Sequence, residues 1–100
     1  MIAQQYGSSI RVLDDRSGGE VASFYVGPEA EVLGNTDSYV LIRNGDSVYT
    51  TDLHGFQLGW LVLTPEDRVS RISESGFSVR KGSILENYAP SCQHIGSTYL

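Results

Sequence analysis

Residues 38–63, SYVLIRNGDSVYTTDLHGFQLGWLVL, hold the reading on which the fold turns. Asn44-Gly45 sits between two apolar runs of strand length. Both residues accept positive φ, as a type I′ turn requires, and that turn matches the twist of paired strands. A loop at Asn44-Gly45 pairs Arg43 with Asp46, Ile42 with Ser47, Leu41 with Val48 and Val40 with Tyr49. One face of the hairpin then carries Leu41 and Val48, and the other carries Val40, Ile42 and Tyr49. Eight residues on, Asp52-Leu53-His54-Gly55 has the form of a type I turn: Asp bonds backbone amides ahead of it, and Gly takes the left-handed position of a bulged hairpin loop. The strand that follows, Gln57–Leu63, does not alternate. Leu58, Trp60, Leu61, Val62 and Leu63 predict burial on both faces, centrally in the fold or at a subunit interface.

The same ten-residue pattern occurs twice in the chain, as DRSGGEVASF from Asp15 to Phe24 and as DLHGFQLGWL from Asp52 to Leu61. A fainter copy, SESGFSVRKG from Ser73 to Gly82, keeps the Gly and the Val three residues later. A repeated short unit implies one supersecondary element used several times around a shared core. Turn signals recur along the whole chain, and no 3.6-residue apolar period lasts ten residues, which predicts an all-β fold. The expected strands are 10–13, 20–26, 31–33, 38–43, 47–51, 57–63, 69–73, 76–80 and 83–88. Thr64-Pro65-Glu66-Asp67 allows at most one short helical turn. The expected architecture is a small antiparallel meander forming a barrel or a flower-like repeat of hairpins. It is a single β domain over residues 1–100, with 89–100 as an irregular C-terminal tail.

One hundred residues support one modest core and no second domain to build a cleft. The net charge of −5 argues against nonspecific nucleic-acid binding, which depends on neutralising phosphates. Charge is uneven: ten acidic residues face three basic ones up to Asp67, and four basic face two acidic from Arg68 onward. Arg68, Arg71, Arg80 and Lys81 form either a small basic patch or scattered solvated side chains. No apolar stretch approaches bilayer length, and the first residues lack a basic start and an apolar run, so neither membrane insertion nor a secretory signal is expected. One cysteine allows no internal disulfide, and the cytoplasm is the expected location.

The segment SVYTTDLHGFQLGWL resembles the signature of the four-fold β-flower domains, small bacterial all-β proteins. The resemblance rests on Val48, Tyr49, Gly55, Leu58, Gly59 and Trp60. It extends more weakly to Asp15, Gly18, Val21 and Phe24, and then to Gly76 and Val79. It implies a fold and no catalytic residues. A second resemblance, of EVLGNTDSYVLIRNG followed by LGWLVL, is to bacterial Src-homology-3-type barrels, which implies binding of peptides or cell-wall fragments.

Residues with chemical potential are sparse. Cys92 and His94 lie two apart, so a strand would put both on one face, but no orienting acid is evident and no catalytic residue is expected. His54 falls in a turn; two histidines and one cysteine far apart do not make a metal site. No phosphate loop is present and no cofactor is expected. Aromatic residues are more informative, because Phe56 and Phe77 directly follow repeat glycines and exposed aromatics anchor interfaces. The expected function is a noncatalytic protein-interaction module that self-assembles through Phe56, Trp60, Leu61 and Leu63. The alternative is a small acidic inhibitor, phage-encoded or immunity-type, whose Asp14, Asp15, Glu20, Glu29, Glu31 and Asp37 block a basic surface of a target protein.

Overall fold

Eleven strands and no helix make up the computed structural model, which covers residues 1–100. They form three open antiparallel sheets in chain order. The first sheet is β1 (Ile2–Tyr6), β2 (Ser9–Leu13) and β3 (Glu20–Tyr25). The middle sheet is β4 (Ala30–Asn35), β5 (Val40–Asn44), β6 (Ser47–Thr51) and β7 (Gln57–Val62). The last sheet is β8 (Arg68–Ser73), β9 (Gly76–Lys81), β10 (Ile84–Tyr88) and β11 (His94–Tyr99). Each is a meander, and their leading strands adjoin, β1 against β4 and β4 against β8. The all-β meander is as expected. A closed barrel is not formed, because no strand pair joins one sheet to the next.

The middle sheet is buried on both faces. Tyr39, Val40, Leu41 and Ile42 are all fully buried. Val40 and Ile42 pack with Ile10, Val12 and Ala30 towards the first sheet. Tyr39 and Leu41 pack with Val48, Leu63, Phe77 and Val79 towards the last. This is why β5 reads as an unbroken apolar run: alternation disappears when both faces are covered. Each such side chain contributes about 1.5–3 kcal/mol on leaving water.

The central hairpin's loop lies one residue further along than expected, which shifts the pairing register by two. Asn44 pairs with Ser47, Ile42 with Tyr49 and Leu41 with Thr50, so the two-residue loop is Gly45-Asp46, with Gly45 at φ 63°. Leu41 moves two positions along its partner strand, which preserves its face; Leu41 and Val48 still share one side. The Asp52 turn is as read. Its carboxylate accepts from the amides of His54 (2.8 Å) and Phe56 (3.0 Å), and Gly55 has φ 93°. In the other repeat the capping acid is Asp14 and not Asp15. Its carboxylate accepts from Arg16 and Ser17, and the loop closes between Asp14 and Gly19. With its extra glycine, that loop is one residue longer than the one closed between Asp52 and Phe56. The repeats also touch: Phe24 of the first lies over Gly55 of the second, where a Cβ would meet its ring at 2.5 Å.

Two strands lie outside the expected set. β1 reads as polar because Gln5, although on the inner side, bonds backbone in place of packing. Its amide donates to the Ala30 carbonyl (2.6 Å) and accepts from the Val32 amide (3.1 Å). Asn35 reciprocates, accepting from the Ala3 amide (3.1 Å) and donating to the Met1 carbonyl (2.9 Å). Two side-chain amides thus tie two edge strands that have no ladder between them. β11 falls in the segment read as an irregular tail and pairs with β10 over a bulge at Asn87-Tyr88.

Middle and last sheets are locked together by loops. The 89–93 loop lies across β6 and β7. Buried Thr50 donates to the Pro90 carbonyl, Cys92 sits at φ 67°, and a Cβ on Gly59 would come within 1.9 Å of the Ser91 carbonyl oxygen. Thr64–Asp67 is a plain turn, not a helix. Asp67 accepts from the Thr64 amide (2.9 Å) and from Lys81 Nζ (2.7 Å).

Gly59→Ala loses about 1–3 kcal/mol because backbone must move to admit the methyl. Gly96→Ala, whose Cβ would meet nothing within 4 Å, stays within about 0.5 kcal/mol by denaturant unfolding. Lys81, then the Thr64 amide, hold the Asp67 carboxyl below its usual range. A depressed folded-state value means the stabilisation is complete above the ordinary carboxylate range and is lost as pH falls through the folded value. Asp67→Asn is therefore expected to cost about 1–3 kcal/mol at neutral pH, and that difference closes in acid.

Candidate interaction surface

β7 is the outer strand of the middle sheet, and no backbone group on its outward side has a partner. Its six residues, QLGWLV, carry no charge. Natural edges are normally guarded by Lys, Pro or bulges that discourage pairing. β7 has only the bulge opposite Thr50-Thr51.

Its side chains divide cleanly. Leu61 is half-buried against the core between middle and last sheets, and Leu63 just beyond is 2% exposed in that core. On the opposite side Leu58, Trp60 and Val62 are exposed, at 43%, 61% and 61%, with Phe56 at 73% in the preceding turn. Burial on both faces, as read from sequence, is thus not achieved within one chain. The cause is the strand count. The first sheet has three strands against four, so it covers β5, half-covers Tyr49 on β6 and leaves β7 bare. Among the expected contact residues, Phe56 and Trp60 are free, Leu61 is partly so, and Leu63 is taken up by the core. Leu58 and Val62 join the stripe; their spacing two apart from Trp60 was the available signal.

The six carboxylates fall in separate places. Asp15 and Asp37 flank the Met1 ammonium at 3.2 and 2.7 Å, with Asp14 in the adjoining turn. Backbone amides of Arg16 and Ser17 hold the Asp14 carboxyl below its ordinary value. Glu20 pairs with Arg11 at 2.8 Å on β3, Glu29 is exposed before β4, and Glu31 stands opposite Arg43 on the other side of the middle sheet. Of the basic residues, Arg68 lies opposite Arg80 and Arg71 opposite Ser78 on β8 and β9, while Lys81 turns to Asp67. The largest groove, about 760 Å³ between β4 and β8, mixes Glu31, Asp46, Arg43 and Arg68 with apolar residues.

Cys92 and His94 point to different partners. His94 Nε2 meets Glu86, whose carboxyl is held low by Ser97 and then His94. Cys92 faces Thr50 (3.7 Å), and burial pushes its thiol up, the reverse of what a nucleophile needs. His54 is exposed in its turn.

No protein-family model matches the chain, and a search of curated proteins gives no match.

Cys92 should react with a thiol-directed chromogenic reagent at least tenfold more slowly in native than in urea-unfolded protein. Equal rates would show that the 89–93 loop does not shield it.

Proposed function

We propose that this protein is a noncatalytic protein-interaction module whose contact surface is the exposed side and free edge of β7. The observation that carries this reading is Trp60, 61% exposed between Leu58 and Val62 on an uncharged strand with an open edge. Exposed aromatics flanked by apolar residues are the usual energetic centre of an interface. Contiguous apolar patches of this kind are uncommon on proteins that act alone. The flower-like resemblance, resting on Leu58, Gly59 and Trp60 among others, is compatible with such a role and brings no catalytic set.

The inhibitor reading draws on the net charge of −5. It has less support, because the six carboxylates lie in separate places, with Asp15 and Asp37 paired to the Met1 ammonium and Glu20 to Arg11.

The test is the native mass of the untagged protein from its own host, beside Trp60→Ala. Wild type is expected in a complex of either like or unlike chains. Trp60→Ala should lose that complex while its stability changes by no more than about 1 kcal/mol, as for an exposed side chain. A wild-type protein found only as the free 10.9 kDa chain, or a complex indifferent to Trp60, would overturn the proposal.

A further inference from the structure

Resting on the module reading, we infer that the occupant of the β7 edge is β7 of a second copy, paired antiparallel about a two-fold axis through Trp60. The six edge strands are not equivalent. β3, β4 and β8 carry Glu20, Glu31 and Arg68 with Arg71, and β11 carries His94 bound to Glu86. β1 is uncharged but tied to β4 by Gln5 and Asn35. Only β7 is at once uncharged, apolar and unoccupied.

Its sequence is also complementary to itself. Opposed residues in an antiparallel pair share a face, and their Cβ atoms lie about 4.5–5.5 Å apart. Centred on Trp60, the pairing sets Trp60 against Trp60 of the second copy and, twice, Leu58 against Val62. On the other side Gly59 meets Leu61 twice, a small residue against a large one. No charge faces another. The result is a continuous eight-stranded sheet running from β4 of one copy to β4 of the other.

The layers permit this. The first sheet stops short of β7, so the two stripes converge in open space above the joint. Below it, the Ser91–Cys92 turn against Gly59 already holds each β7 in place before pairing, which lowers the ordering cost of association. The isologous geometry closes on itself, as expected for the commonest symmetric dimers.

The experiment uses the full recombinant chain alone. Sedimentation equilibrium at tens of micromolar should give twice the 10.9 kDa mass, and Trp60→Glu, which sets two carboxylates face to face on the axis, should give the single chain. In a Cys92→Ser background, Trp60→Cys should form a disulfide-linked dimer on mild oxidation. A mixture of Leu58→Cys and Val62→Cys chains should cross-link to each other at least tenfold more than either does to itself. Like residues at position 58 would stand about 13 Å apart, four strand residues, in the proposed register. A wild-type chain that stays monomeric alone yet joins a Trp60-dependent complex in its host would overturn the second-copy inference and leave the module reading standing. A dimer that cross-links 58 to 58, or is unaffected by Trp60→Glu, would overturn the pairing. Loss of every association overturns both.

Discussion

The structure depends on burying β5 from both sides. Val40 and Ile42 need the first sheet, Leu41 needs the last, and neither outer sheet has a second partner of its own. A three-stranded or four-stranded sheet of this size is marginal unless one face is packed. The outer sheets are therefore stabilised chiefly by what they cover on the middle one. Each outer sheet keeps one face to solvent.

Close approach is the second constraint. Three sheets of short strands can interlock only where side chains are missing or where they imitate backbone. Gly34 admits Ile72, Gly55 admits Phe24 and Gly59 admits the Ser91 carbonyl. Gln5 and Asn35 take the place of ladder bonds between β1 and β4, and Thr50 does the same for Pro90. A buried polar group is costly without a partner, and no buried side-chain nitrogen or oxygen here lacks one. The same geometry leaves β7 bare, since the first sheet ends one strand early.

How much of this is legible in the sequence varies with the range of the interactions. Turn chemistry is local, so the Asp52–Gly55 turn, the nine expected strands and the faces of the central hairpin can all be read from neighbours. The exact loop residues at Asn44–Ser47 cannot, because a two-position slide keeps every face and only packing chooses between them. β1 is hidden because Gln5 earns its inward place through backbone bonds 25 and 27 residues away. β11 is hidden by Gly96 and a bulge. The apolar run of β7 is plain, but its exposure is not: that follows from the first sheet having three strands, a fact of topology. Phe56 could be singled out because it follows a turn glycine, and Trp60 because its strand is too apolar for one face. The same turn signal at Phe77 misleads, since that ring is 2% exposed in the core. Leu63 could not be separated from Phe56 and Trp60 without knowing which side β7 turns to the last sheet.

Residue-resolved amide hydrogen exchange in dilute protein separates a doubly covered strand from a bare edge. Val40–Ile42 should exchange only through global unfolding, while the outward amides of β7 exchange orders of magnitude sooner. Equal protection of β7 and β5 in the isolated chain, or early exchange in β5, would contradict a middle sheet covered on both faces with one bare edge.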